Sequence, residues 1–164
     1  MANSFTVNTY SPKDVILTLS GYQFTGWSTL SITRSVKGFS LVRGIRGKNT
    51  RVRNPDTSAT VTISLIQSSQ GNDVLSDIHQ QDLTFGTGRI TLMLKDSSGR
   101  SVFHSDESFI TGFPTATFSG QFEYRNWEIF CQSTSTYTVG GNARPSNLLD
   151  GLLDGQTNFI DDLF

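Results

Sequence analysis

The sequence predicts a mainly β protein, an antiparallel β-sandwich or small barrel with one short flanking α-helix. Three observations predict this class. Apolar residues recur with a period of two in several segments, serine, threonine and glycine are abundant, and only one segment has helical periodicity. The chain has 164 residues, which suffices for one domain with a real core. We predict that domain over residues 1–138 and a C-terminal arm over residues 139–164.

The strand predictions follow the period-two segments in order. Residues 14–24 and 27–34 predict two strands, divided near Gly26. In residues 59–67, Val61, Ile63 and Leu65 occupy one face, and hydroxyl residues occupy the other. Residues 89–110 predict a hairpin around the turn sequence DSSG. The last predicted strand, residues 120–133, is dense in aromatic and β-branched residues.

One segment, residues 71–82, predicts a short amphipathic helix packed on a sheet. Asn72 stands where an N-cap is expected, and Asp73 falls in the first turn. Val74, Leu75 and Ile78 share one face, and we expect His79 to face the solvent.

Charge is segregated along a chain whose formal net charge is only −1. No acidic residue occurs from Val15 through Pro55, whereas residues 38–56 form a long basic stretch. Three glycines and a proline in that stretch predict a flexible inter-strand loop without regular structure. Opposite charges at separated places suit contact between identical subunits. The candidate cations are Arg43, Arg46, Lys48, Arg51 and Arg53, and the candidate carboxylates are Asp73, Asp77, Asp82, Asp150 and Asp154.

Residues suited to catalysis or metal binding are few. His79 and His104 are the only histidines, and Cys131, the only cysteine, is expected to be a buried apolar residue rather than a nucleophile. Gly47-Lys48 lacks the spacing of a phosphate-binding loop and leads into a strand instead of a helix. The sequence therefore predicts no enzyme, no cofactor and no metal site.

The cellular context is predicted from what the sequence lacks. The first residues have neither the basic nor the apolar region of a signal peptide, and no apolar run is long enough to cross a bilayer. A lone cysteine excludes an internal disulfide and fits a reducing compartment. We expect a soluble protein that is made in a cytoplasm and does not insert into a membrane.

The basic stretch leaves more than one function open. Residues 38–53 could serve a nucleic-acid-binding β-barrel, although the loop offers only Phe39 for stacking on bases. A merely solvated loop is a second alternative. The arm over residues 139–164, which ends in apolar residues, is predicted either to dock on a neighbour or to be a frayed tail.

Residues 54–82 resemble the centre of phage tail tube proteins, including those of contractile-tailed phages. In that family a hydrophilic loop leads into a T-x-T-I-x-L-x-Q strand and then a short S-x-x-N-D-x-L helix, and the resemblance extends over residues 10–133. The residues that match are Thr60, Thr62, Ile63, Leu65, Gln67, Ser69, Asn72, Asp73 and Leu75.

The resemblance implies a structural virion protein with two packed antiparallel sheets and a helix. Subunits of that family form hexameric rings that stack into a tube, through which DNA passes without specific binding. The implied partners are other copies of the chain and the sheath, tape-measure, baseplate and tail-terminator proteins. In such a tube, residues 38–56 would reach the adjacent ring, and their arginines would bind carboxylates there.

Overall fold

A computed structural model describes residues 10–141 of the chain. Within that range lie ten strands, one α-helix and a short 3-10 helix at Pro12–Asp14. The strands are β1 (Val15–Leu19), β2 (Tyr22–Phe24), β3 (Trp27–Arg34), β4 (Phe39–Arg43), β5 (Asn49–Arg53), β6 (Ala59–Ile66), β7 (Ile90–Asp96), β8 (Val102–Ile110), β9 (Tyr124–Ser133) and β10 (Thr136–Thr138), and the helix is α1 (Gly71–Phe85).

Eight of these strands form one antiparallel sheet in the order β2-β1-β7-β8-β9-β6-β3. The eighth, β10, pairs with the first residues of β8, whereas β9 pairs with its last residues. A register shift between Glu107 and Ser108 separates the two pairings. A bulge of this kind bends a strand, so β8 can pair with β10 through its first residues and with β9 through its last residues. Strands β2 and β3 are the two ends of this strand order.

The sheet folds over on itself around a single apolar core, and it does not close into a barrel. Side chains from β1, β6, β7 and β9 meet there, so the first half of the sheet opposes the second. The predicted mainly β, antiparallel class is therefore confirmed. The largest fully buried side chains include Trp127, Phe24, Phe103, Leu17 and Ile63.

Strand β6 shows how the sequence determines its two faces. Val61, Ile63 and Leu65 are wholly buried, and the residues between them are half-buried on the opposite face. This alternation is the one predicted from the sequence. Because β6 pairs with β9 on one side and β3 on the other, its apolar row lies at the centre of the core.

Helix α1 covers one end of the core, and its first turn differs from the prediction. Leu75 is wholly buried, and a Cβ at Gly71 would lie 3.0 Å from the Phe24 ring, so glycine permits the close approach of helix and sheet. The residue before the helix is Gln70, which makes no side-chain capping bond. Asn72 is therefore not the N-cap. Its amide instead joins the helix to the preceding turn and to β9.

The prediction that residues 38–56 lack regular structure was wrong. The segment contains strands β4 and β5, which pair as a separate two-stranded sheet. The glycines do not interrupt these strands, because Gly38 precedes β4 while Gly44 and Gly47 lie in the turn. Gly47 has φ of +80°, a conformation that glycine adopts without strain. Pro55 follows the second strand.

Two strand boundaries also differ from the prediction. Residues 14–24 form two short strands, because Ser20 and Gly21 turn the chain with φ of 47° and 89°. The last long strand starts at Tyr124 instead of residue 120. Most of the predicted C-terminal arm lies outside the described residues, as do Asp150 and Asp154.

Candidate assembly surface

The basic hairpin, residues 39–53, presents two chemically different faces to solvent. Cross-strand pairing places Phe39 opposite Arg53 and Leu41 opposite Arg51. The alternate pairs place small polar and branched apolar residues on the other face. Every residue of both strands is exposed, and Ile45 at the tip is fully so. An exposed hairpin with apolar side chains on both faces is typical of a surface that another molecule covers.

The cations of the basic hairpin have no carboxylate partner in the part of the chain that the structure describes. Arg51 lies over the Phe39 ring, 4.3 Å from its centroid. Arg43 donates to the side chain of Asn49 at 3.3 Å. These contacts orient two guanidinium groups without neutralising them.

The root of the hairpin is held by Arg34 and Asp56. Arg34 donates to the carbonyl of Thr57 at 2.8 Å, and its guanidinium lies 5.2 Å from the centroid of the Tyr137 ring. Asp56 accepts from the backbone N–H of Ser58 at 2.8 Å. The hydrogen bonds from Ser58, with a smaller effect of Arg34, lower the pKa of Asp56. The carboxylate form therefore fixes the turn where the hairpin leaves the sheet.

The predicted carboxylate counterparts are in different environments. Asp73 and Asp77 lie on the exposed side of α1. Asp82 is half-buried, and its carboxylate accepts from the backbone N–H of Gly88 at 3.0 Å. Asp73 and Asp77 are thus more available to a partner than Asp82. None of the three forms an ion pair with the basic hairpin within the described range of this copy.

The outer face of β3, β6 and β9 is rich in hydroxyl groups and free of cations. Register places three rows across these strands, with Thr33, Thr60 and Phe130 in one, Ser31, Thr62 and Glu128 in the next, and Thr29, Ser64 and Asn126 in the third. Ser64 and Asn126 are hydrogen-bonded across their row. We call these nine residues the hydroxyl face. Its only ionisable member is Glu128.

The hydroxyl face ends at an open sheet edge. Strand β3 runs over Trp27–Arg34 and pairs only with β6. Its other side therefore presents backbone N–H and C=O groups without strand partners. Long exposed edges are a liability that proteins cover or pair. No proline interrupts this one.

Several exposed aromatic and apolar residues lie outside these surfaces and were not singled out from the sequence. Phe118 and Phe122, on the segment between β8 and β9, are 79% and 73% exposed. Leu83 and Phe85 at the end of α1 are 69% and 74% exposed. The exposure of such a side chain depends on the tertiary structure, so the sequence pattern alone did not indicate it.

The residues considered for chemistry have structural surroundings. His79 is buried at 6% exposure with its ring edge-on to Phe113, so the expectation that it faces solvent was wrong. The loop between β8 and β9 covers it, a non-local contact that helical periodicity cannot reveal. His104 is hydrogen-bonded to Ser135 at 2.7 Å. No group of three or more His, Cys, Asp or Glu that could hold a metal occurs between residues 10 and 141.

Cys131 is wholly buried, as predicted. The Ser108 hydroxyl donates to its sulfur at 3.3 Å. Burial raises the pKa of the thiol, and hydrogen bonds from Ser108 and Ser105 only partly offset that effect. A protonated, enclosed thiol is a packing group. Across the described residues, no helix is both long enough and apolar enough to cross a membrane.

These surfaces and the fold define a β-sandwich protein with an open sheet edge and an exposed basic hairpin. Solved structures share the fold. A chain from the anti-feeding prophage cap, described as the tube terminating cap, matches with a TM-score of 0.51 at 12% identity, covering 84% of this chain and 100% of that one. A chain from the virion of a native gene transfer agent particle matches with a TM-score of 0.53 at 12% identity, covering 80% of this chain and 100% of that one.

Sequence comparison assigns the family. The chain is 35% identical over 150 residues to structural protein ORF10 of Pseudomonas phage KPP10, covering 85% of this chain and 86% of that protein. The chain therefore belongs to the family of phage structural proteins that includes ORF10. No protein-family model matches it.

Proposed function

We propose that this protein is the subunit of a phage tail tube, in which hexameric rings stack into a conduit for the genome. The observation that supports this most strongly is the hydroxyl face beside the open edge of β3. Membership in the ORF10 family, together with a fold similar to those of the gene transfer agent virion and the tube terminating cap, agrees with an assembled role.

Ring formation would use the open edge of β3. Pairing with a strand of the next copy would give partners to the unpaired backbone groups of Trp27–Arg34 and extend the sheet around a channel. The hydroxyl face would then line the lumen. Serine and threonine with no cation suit the passage of DNA, because each fixed lysine or arginine would attract a phosphate.

Ring stacking would use the basic hairpin. Its five cations project from the sheet without ion pairs in this copy, so we propose that they meet carboxylates of the adjacent ring. Asp73 and Asp77 are exposed enough to take this role on α1. Asp150 and Asp154 stay candidates outside the described residues. Arginine suits such contacts because its planar group can bind a carboxylate through two hydrogen bonds.

A tube subunit implies further partners and a location. We propose contacts with tape-measure, baseplate and tail-terminator proteins, and with a sheath where the tail is contractile. The mature location would be the virion tail, after synthesis in the host cytoplasm. The separate domain over residues 1–138 and the arm over residues 139–164 belong to this proposal.

Electron microscopy tests the proposal directly. Purified full-length protein at high concentration is expected to form hollow stacked rings in negative stain. Peptide quantification of intact virions should give many copies per particle. A single ring's worth of copies would instead assign the protein to a terminating cap. A strictly monomeric protein, both in solution and in virions, would refute self-assembly.

A nucleic-acid-binding role is the second candidate, favoured by the exposed cations and by Arg51 over Phe39. Its test is binding of single- and double-stranded DNA across a salt series. For a tube subunit we expect weak, nonspecific binding that disappears near physiological salt. Tight binding lost on Arg51→Ala with Arg53→Ala would favour the nucleic-acid role.

A further inference from the structure

An apolar groove of about 440 Å³ lies beside the open edge of β3. On one side it is lined by Trp27, Leu30 and Ile32 of β3, and on the other by residues of β1, β7 and β8. Trp27, Leu30 and Ile32 are only half-buried, although they pack against the core. The wholly buried Phe103 also lines the groove. The groove is thus an extension of the core that is open to solvent.

The chain leaves the described structure at the rim of this groove. Val139 and Gly140 line it. The backbone N–H of Gly140 donates to the Ser101 hydroxyl at 3.0 Å, and that hydroxyl donates to the Gly140 carbonyl at 3.1 Å. A Cβ at Gly140 would lie 2.6 Å from the Cβ of Arg100, so glycine allows the chain to pass close to the sheet. The last described residues of the chain therefore lie at the rim of the groove.

The sequence that follows is rich in the side chains that such a groove accepts. Within residues 142–164 it contains two leucine pairs, Leu148-Leu149 and Leu152-Leu153. An extended chain spans at most about 3.5 Å per residue, so the first pair reaches roughly 25 Å from Gly141. A tethered segment also has an effective concentration on the order of millimolar at a nearby site. The tether favours this segment over the same segment of a second copy.

We propose that the C-terminal segment, residues 142–164, binds in the apolar groove of its own chain through these leucine pairs. Binding covers Trp27 and adds the leucine side chains to the core. Because the segment is tethered to the same chain, it binds within a single copy before any partner is present. The groove lies next to the free edge of β3. The proposal goes beyond the tube function and is tested on a dilute monomer.

Tryptophan fluorescence gives the test, because the chain has only two tryptophans. Trp27 lines the groove, whereas Trp127 is buried at 2% exposure. We expect acrylamide quenching of the full-length protein to rise about twofold when the four leucines are changed to aspartate, since the apolar cover of Trp27 is lost. Changing them to serine should have the same effect without adding charge. Circular dichroism reports whether each variant folds.

Two controls isolate the groove. Leu83→Asp changes an exposed leucine on α1 and should leave quenching unchanged. In a Trp27→Phe background only Trp127 emits, and the leucine variants should no longer alter quenching.

Three results would overturn the proposal. Equal quenching of the wild type and both leucine variants would mean that the segment does not cover Trp27. Shielding that increases with protein concentration would mean that a second copy fills the groove. Tyr10 also lines the groove, so residues 1–9 are the rival segment of the same chain. An increase in quenching caused by Phe5→Asp, and not by the leucine variants, would assign the groove to those N-terminal residues.

Discussion

At the scale of single residues, Asn72 is a junction between helix, turn and sheet. Its side-chain nitrogen donates to the carbonyls of Ile66 and Ser69 at 3.0 and 3.1 Å. Its side-chain oxygen accepts from the indole N–H of Trp127 at 2.9 Å. Trp127 is buried, so this hydrogen bond satisfies a polar group that has lost its water. One amide therefore sets the position of α1 over the core.

Replacing Asn72 with alanine should lower the free energy of unfolding by about 2 kcal/mol, because a buried donor left without a partner is costly. The measurement is urea denaturation of the wild type and the variant. Asp73→Ala, the next residue and exposed, is the matched control and should change stability by under about 1 kcal/mol. Equal losses in the two variants would contradict the structural role of Asn72.

Cys131 leads to a prediction about pH. Its pKa is raised in the folded protein, chiefly by burial, so the folded state holds the thiol proton more tightly than the unfolded state does. The resulting loss of stability is absent below the ordinary thiol pKa and grows as pH rises through it. Denaturation midpoints measured from neutral to alkaline pH should fall more steeply in the wild type than in Cys131→Ala. Parallel curves for the two proteins would show that the thiol does not contribute.

At the scale of elements, the basic hairpin is set apart from the rest of the fold. Its strands pair only with each other, and all their residues are exposed. Isolated two-stranded hairpins are at best marginally stable in water. In the tube that we propose, the adjacent ring covers this surface. Changes in its side chains should therefore affect assembly far more than folding.

Changing Arg46, Arg51 and Arg53 to glutamate should leave the sheet folded and prevent rings from stacking. Each reversal places a negative charge where we propose that a carboxylate of the adjacent ring binds. Ring and tube formation is scored by negative stain, and folding by circular dichroism. The matched control changes Lys13, Arg89 and Arg100, three exposed cations outside the hairpin, to glutamate. Tubes of normal length from the hairpin variant would show that its cations are only solvated.

The elements also show what the sequence can predict. The faces of β6 follow from its own alternation, and the hairpin of β7 and β8 follows from the turn between them. Regular structure in residues 39–53 was missed because its glycines signal a break, although they lie at the ends and in the turn. The burial of His79 and the partners of Asn72 depend on contacts with β9 and the loop before it. The contacts of Asn72 with Trp127 and of His79 with Phe113 join residues more than thirty positions apart, which local patterns do not encode.

At the scale of the whole molecule, the sheet has unequal edges. Strand β2 has three residues, whereas β3 has eight and contributes three of them to the hydroxyl face. Only the longer edge offers a surface for continuous pairing with another copy. The strand order that creates this edge was not predictable from the sequence. Strand β3 pairs with β6, across the basic hairpin that separates them in the chain, and β9 lies between β6 and β8.

The central claim is that β3 gains its second strand partner from another copy. Amide hydrogen exchange of Trp27–Arg34, measured in the dilute monomer and in the assembled protein, tests it most directly. We predict that alternate amides of β3 exchange rapidly in the monomer and become protected on assembly, while those of β6 are protected in both states. Uniform protection of β3 in the monomer, or rapid exchange that persists in assembled material, would contradict the claim.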